Sequence, residues 1–233
     1  MGDQRTQSGY GMLKSGMIVP WDHPDAVRVA SPDADIVLDP TCGSGTAAEA
    51  ASMVCRRFIC IDREHAAIEK TRLRLPSYVR RRTSLIEWFH DWRVFAADPM
   101  IWDCGSNFLV RGDSLEVLRS MPDSFVALVY CDPPFNANRQ FRNKDGEGFS
   151  DIWRWDDDAE SRLRECEDID VTTDRWINGA TVTDREKAKR SACLLVEQCL
   201  LMNSPDRASY LSWMILLMTE CRRVSGSYEW SDS

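Results

Sequence analysis

Four short runs along the chain are almost wholly apolar: Ile36–Leu38, Phe58–Ile61, Phe108–Val110 and Ala127–Tyr130. Each is followed by an acidic residue or a turn. Continuous apolar runs of this length predict parallel strands buried on both faces. Between them the pattern turns helical. Thr46–Val54 and Glu64–Leu75 predict helices, and Ser114–Ser120 predicts a shorter one ending before Pro122. Strands therefore alternate with helices. This order predicts an α/β fold with a doubly wound, mostly parallel sheet and right-handed crossovers.

The remaining segments fit around that frame. The connection from Pro76 to Ser106 contains Trp88, Phe89, Trp92, Phe95 and Trp102, so it is expected to pack on the core, with a helix over Ser84–Val94. A polar, Gly-containing loop is expected from Phe135 to Gly148. From Asp184 to Arg223 the pattern is helical, broken near Asn203–Ser204–Pro205, and Ser225–Ser233 holds a strand fragment. Residues 1–30 read as a polar extension and residues 31–233 as one catalytic domain. Within it lie a ligand-binding segment (31–76), the aromatic connection (77–106), a catalytic strand and motif (107–136) and a loop plus helical part (137–233).

Composition narrows the setting. No apolar run approaches the roughly 18 residues of a membrane span; the longest candidate is Tyr210–Met218. The first sixteen residues are polar and Gly/Ser-rich, without a secretory apolar stretch. The nine cysteines are scattered singly, with no C-x-x-C pair, so reduced structural thiols are expected rather than a zinc site. A cytoplasmic protein with no membrane partner and no metal is the expectation. His23, His65 and His90 form no pattern of a ligand set or triad. The formal charge of −8 argues against a protein that coats nucleic acid unaided, since phosphate contacts need clustered Lys and Arg. It leaves DNA open as a substrate. The basic stretches Arg80–Arg82 and Arg139, Arg142, Lys144 read as solvated faces.

Two constellations carry chemistry. The first is Asp39-Pro40-Thr41-Cys42-Gly43-Ser44-Gly45-Thr46, which leaves a strand and opens a helix. Gly43 and Gly45 let a ligand approach the backbone closely. The Gly-Lys-Ser/Thr of a phosphate-binding P-loop is missing. Asp62 closes the next strand, at the spacing where an acid takes ribose hydroxyls. The second is Asp132-Pro133-Pro134-Phe135, at the carboxyl end of the fourth strand. An aromatic base amine is a poor nucleophile because its lone pair is delocalised into the ring. Acceptors beside its N–H groups pull the nitrogen toward tetrahedral geometry. The Asp132 carboxylate is one such acceptor, and the Pro133 carbonyl, held by Pro133 and Pro134, is the second. Phe135 then stacks on a base taken out of the duplex.

Through these two constellations the chain resembles the amino-methylating DNA methyltransferases. Ile36–Leu75 is similar to their cofactor motif, and Asn107–Arg142, reading Gly112-Asp113-Ser114-Leu115 and then Asp132-Pro133-Pro134-Phe135-Asn136, to their catalytic half. Trp153, Trp155 and the Tyr210–Arg223 helix resemble the region beyond that half. The resemblance implies a Rossmann-like methyltransferase fold with S-adenosylmethionine as cofactor. Asp39, Thr41, Gly43 and Gly45 would line its methionine end, Asp62 would hold its ribose and Asp113 would lie in the neighbourhood of its adenine, with Pro40, Ser44 and Thr46 also among the cofactor-binding residues. Asp rather than Ser at position 132 leans toward N6 of adenine over N4 of cytosine. Phe135 stands where Tyr is commoner.

The resemblance also has two departures. In the most similar subgroup the catalytic half leads, whereas here the cofactor motif comes first, as in a permuted or fused chain. No segment reads as a separate target-recognition domain. A second copy or a partner subunit is therefore expected to supply recognition of the DNA substrate. The alternatives are a non-catalytic S-adenosylmethionine-binding or assembly subunit, and a methyltransferase acting on RNA or on a protein side-chain amide.

Overall fold

Five parallel strands build the central sheet of a computed structural model that describes residues 10–12, 18–20, 36–88, 102, 105–142, 148–168 and 194–225. Two earlier strands, β1 (Tyr10–Met12) and β2 (Ile18–Pro20), form an antiparallel pair of their own. They lie in the stretch expected to be a plain polar extension, where three-residue strands leave too short a pattern to read. The sheet strands are β3 (Ile36–Asp39), β4 (Arg57–Asp62), β5 (Thr83–Glu87), β6 (Asn107–Arg111) and β7 (Leu128–Val129). Their order across the sheet is β5-β6-β4-β3-β7, every neighbour parallel. The doubly wound α/β sheet expected from the apolar runs is present.

Burial explains why those runs lack alternation. Side chains alternate faces along a strand, yet Ile36, Val37, Leu38 and Asp39 are all buried, as are Phe58, Ile59, Cys60 and Ile61. One face holds Val37, Phe58, Cys60 and Leu109 in a cluster with Ala48, Ala51 and Ile68. The helices α1 (Thr46–Met53) and α2 (His65–Arg74) supply those last three residues. Alanines at 47, 48, 50 and 51 are buried on α1, so the helix backbone lies close to the strands. Each large apolar side chain so buried contributes roughly 1.5–3 kcal/mol.

The connection expected to pack on the core does so where it is described. Trp88 and Trp102 are buried, with ring centroids 6.2 Å apart, and Trp102 meets Phe108 edge-on at 5.3 Å. Gly112 makes room for this cluster, since a Cβ there would lie 2.6 Å from the Cβ of Trp88. Phe89, Trp92 and Phe95 fall outside the described residues. The helix expected over Ser84–Val94 is corrected at its start: Ser84–Glu87 belong to β5, an edge strand beside β6, whereas Trp88 is helical and residues 89–94 lie outside the described residues. Thr71 is buried, Ser114 opens α4 (Ser114–Arg119), and α3 (Ser77–Arg80) is a single turn before β5.

By contacts the chain divides into two compact units, Met1–Pro133 with Arg223–Gly226, and Pro134–Arg222 with Ser227–Ser233. The boundary falls inside the second motif. In the first unit, the Arg223 guanidinium donates to the carbonyls of Met121 (2.8 Å) and Leu118 (2.7 Å), and Val126 N–H donates to the Val224 carbonyl (2.9 Å). These bonds staple the turn that leads into β7.

The second unit contains β8 (Arg139–Arg142) and β9 (Gly148–Asp151), an antiparallel pair. The loop expected from Phe135 to Gly148 therefore includes a hairpin arm. Helix α5 (Asp157–Asp168) follows, then helical residues 194–201 and α7 (Pro205–Ser225), counting residues 194–201 as α6. The break expected near Asn203 is present, with a left-handed φ of 55°. Arg162 donates to the Ser209 hydroxyl at 3.1 Å, tying α5 to α7. Tyr210–Met218, the longest apolar run, contains no exposed residue. The exposed apolar side chains near it are Leu194, Leu195, Leu201 and Met202. Among the described residues no helix is long and apolar enough to cross a membrane. The strand fragment expected within Ser225–Ser233 falls on residues 226–233, outside the described residues.

Candidate active site

The chain starts the sheet in the middle at β3, builds outward through β4, and later returns to β7 on the other side of β3. The carboxyl ends of β3 and β7 thus flank a topological switch point, the place where open α/β sheets take their ligands. Asp39 is the last residue of β3, and Asp132 follows β7 by three residues. The fold itself brings the two motifs to the same end of adjacent strands.

The turn after β3 is held by its own hydrogen bonds. Thr41 N–H donates to Asp39 Oδ1 (3.1 Å), Cys42 N–H to the Ile61 carbonyl (2.9 Å), and Gly45 N–H to the Cys42 carbonyl (2.8 Å). Gly43 N–H donates to Asp62 Oδ2 (2.9 Å), while Asp62 Oδ1 accepts from Glu64 N–H (2.8 Å). The contrast with a phosphate cradle is chemical. A P-loop turns a row of backbone N–H groups toward an anion. Here four of those donors are consumed internally, two of them by carboxylates.

The two glycines of the turn have separate tasks. Both have left-handed φ, 50° at Gly43 and 81° at Gly45. A Cβ on Gly45 would lie 2.5 Å from the Thr71 side chain, so this glycine serves helix packing. A Cβ on Gly43 would meet nothing within 4 Å. The space beside Gly43 is open. Thr71, which carries no signal in the sequence, also donates to the Gly43 carbonyl at 3.3 Å.

The remaining residues of the motifs fall as follows. The Pro40 carbonyl accepts from the Ser114 hydroxyl. Arg74 donates to the Ser44 carbonyl (3.1 Å) and to Thr46 Oγ1 (3.1 Å), and pairs with Glu49 at 2.7 Å. Asp113 caps α4 through Leu115 N–H (2.9 Å) and pairs with Arg63 at 2.6 Å. Asp132 is exposed, Pro133 and Pro134 half-buried, and Phe135 is 72% exposed. The sequence signals neither the bond of Ser114 to Pro40 nor those of Arg74 to the turn, because the partners are 74 and about 30 residues away.

Acidic groups gather at this strand end, and burial disfavours their charged forms. Burial pushes the Asp39 carboxyl up to about 8, with the Asp62 and Asp132 charges acting in the same direction and the Thr41 N–H opposing. Burial also raises Asp62, against the N–H groups of Glu64 and Gly43. Cys131 is pushed up to about 12, chiefly by burial, and stays a thiol. This strand end thus offers carboxyl oxygens as acceptors, with its turn amides spent.

A pH effect on folding results. Between about pH 4 and pH 8 the folded chain keeps the Asp39 proton and the unfolded chain has lost it. This contribution to stability is complete below about pH 4 and is lost as pH rises through about 8, with a slope of up to about 1.4 kcal/mol per pH unit. Asp39→Asn, which mimics the protonated form, should flatten the slope of urea-denaturation free energy between about pH 5 and 8. An unchanged slope in the variant would show that Asp39 ionises normally.

Comparison with known proteins reaches the first part of this strand end. A family model described as DNA methylase matches residues 25–72, about a fifth of the chain, which includes β3, α1, β4 and most of α2. The match supports membership of the amino-methylating DNA methyltransferases. It covers the turn and Asp62, and it stops before Asp132. A search of curated proteins finds no match.

Proposed function

We propose that this chain transfers a methyl group from S-adenosylmethionine to the exocyclic N6 amine of adenine in DNA. The observation that carries the reading is the pairing, at one switch point, of an amide-spent acidic turn with an exposed carboxylate. The turn is suited to a ligand bearing sulfonium and ammonium charges, because the Asp62 carboxyl lies there, the protonated Asp39 carboxyl adds an acceptor oxygen, and the amides of Thr41, Cys42, Gly43 and Gly45 are already satisfied. Asp62 keeps lone-pair capacity for a ribose hydroxyl beyond the backbone donors it accepts. Gly43 leaves the approach open, Asp39, Pro40, Thr41, Ser44, Gly45 and Thr46 shape the turn, and Asp113 is assigned to the adenine side.

When bound, S-adenosylmethionine would supply an electrophilic methyl carbon on a positive sulfur, with a neutral thioether as the leaving group. The chain's own part is to prepare the amine. Asp132 accepts one amine N–H and the Pro133 carbonyl the other, so the lone pair is freed for in-line attack and the proton leaving nitrogen has an acceptor. Pro134 stiffens the turn, and Phe135 offers an exposed face for the flipped base. Proximity and alignment supply most of the acceleration. Adenine is preferred to cytosine on the Asp at position 132. Residues 31–233 are taken as the catalytic domain, with recognition supplied by a partner or a second copy.

Purified chain with methyl-labelled cofactor, offered DNA, RNA and protein separately, tests this. Label in N6-methyladenine of DNA is the expected product. Label in N4-methylcytosine, RNA or a side-chain amide would reassign the substrate, and cofactor binding without transfer to any of them would favour an assembly subunit. The isolated chain should bind DNA weakly and without sequence preference, with affinity falling as salt rises. Nanomolar, sequence-selective binding by a monomer would remove the need for a partner.

A further inference from the structure

Asp151, the last residue of β9, is 1% exposed and accepts three hydrogen bonds. Two come from backbone N–H groups immediately after the second motif: Asn136 to Oδ1 at 3.2 Å and Ala137 to Oδ2 at 2.7 Å. The third is the Trp153 indole N–H to Oδ1 at 2.8 Å. Trp153 in turn packs against Tyr210 and Trp213 of α7, with ring centroids 5.2 and 5.1 Å away. Asn136 and Asn138 have left-handed φ of 55° and 52°. Non-glycine residues take up that region at a cost, and they stay there only where surroundings over-determine it. No strand ladder covers residues 136 and 137. Their amides are held by one side chain.

We propose that Asp151 is the positioning residue for Phe135: it fixes the loop that leaves the ring, and so sets the orientation in which the ring meets a base. The proposal rests on the reading of Phe135 as a stacking platform. A buried carboxylate is costly unless its lone pairs are used, and Asp151 spends both oxygens on this one turn and its aromatic support. Such charge-assisted bonds are about twice as strong as neutral ones. The chemistry also says why Asp is required. Asparagine has one carbonyl oxygen, so Asp151→Asn must turn an NH2 group toward at least one of the three donors, at a side chain that is almost wholly buried. Phe135 itself is 72% exposed, and the two backbone amides that follow it are held by Asp151. A misplacement of about 1 Å at a reacting partner is enough to cost about a hundredfold in rate.

Two measurements on the full chain decide it. Amide exchange on the parent should show Asn136 and Ala137 protected like the β8–β9 amides, and Asp151→Asn should speed both at least about tenfold with the sheet strands unchanged. Fast exchange at these two amides in the parent would overturn the proposal without any variant. In single-turnover methylation at saturating DNA, Asp151→Asn should lose at least about tenfold while cofactor affinity holds, and Phe135→Ala should make that loss vanish. Equal losses with the Phe135 ring present and with it truncated would mean that Asp151 acts elsewhere, and would overturn the proposal. A parent that methylates nothing, with both amides protected and released by Asp151→Asn, would remove the methyltransferase reading and leave the hold of Asp151 on the loop established.

Discussion

Asp132→Ala should lower the single-turnover rate of methyl transfer at least about a hundredfold, the scale for removing one preorganised electrostatic contact. Cofactor affinity should change far less. The reason lies in when the contact is used. In the ground state the base amine is planar and its N–H groups are weak donors. As the nitrogen rehybridises and begins to carry positive charge, its N–H groups become stronger donors and the carboxylate attracts them more. An interaction that grows along the reaction coordinate lowers the barrier rather than the Michaelis complex. Asp132 is exposed, so its truncation opens no cavity and the fold is expected to survive. Asp132→Asn keeps one acceptor oxygen and should fall between the two. Rapid-quench methylation with the labelled cofactor, alongside a calorimetric titration, measures both halves. A variant that transfers methyl groups at the parent's rate sinks the catalytic assignment.

The parts of this molecule that are legible in the sequence are those whose pattern follows from burial on both faces. Val37, Phe58, Cys60 and Leu109 face one side of the sheet, while Leu38, Ile59, Ile61 and Val110 alternate with them and are buried too. Such strands cannot alternate in polarity, so their runs stand out and the βα order follows. The edge strand β5 reads as helix in the sequence because only Ile86 of its five residues is buried. With Thr83, Ser84 and Leu85 half-buried or exposed, no periodicity of two survives. The arm β8 has the same weakness: Arg139, Gln140 and Arg142 are exposed, and its pairing with β9 depends on backbone bonds that composition does not reveal. At the site, residues in one contiguous stretch are visible and their long-range supports are not. Gly43 and Gly45 look alike in sequence, and only Thr71, a helix away, fills the space over one of them. Asp151 has no signal beyond its nearness to Trp153, since its tie to residues 136 and 137 exists only once the hairpin folds back.

Asp62→Ala should weaken S-adenosylmethionine binding at least about a hundredfold, and Gly43→Val should do the same by a different route. A hydrogen bond to a charged group contributes about 1.5–3 kcal/mol, and a carboxylate that takes a ribose hydroxyl therefore accounts for about one to two orders of magnitude. Asp62 also holds the turn, through Gly43 N–H at 2.9 Å and Glu64 N–H at 2.8 Å, so the alanine variant loosens the binding loop as well. That double role is why the second variant is needed. Nothing stands within 4 Å of a Cβ at Gly43, so a valine there meets no protein atom at its Cβ and blocks only what the open space admits. It does strain a backbone with φ of 50°, at roughly 1–2 kcal/mol, which a thermal melt will register as a modest fall. Gly45→Ala supplies the comparison: its Cβ collides with Thr71, so it should lower the melting temperature more than Gly43→Ala does. Calorimetric titration of the folded variants with S-adenosylmethionine reads the affinities directly. If Asp62→Ala and Gly43→Val both bind as the parent does, the cofactor does not lie in the turn after β3, and the switch point holds some other ligand.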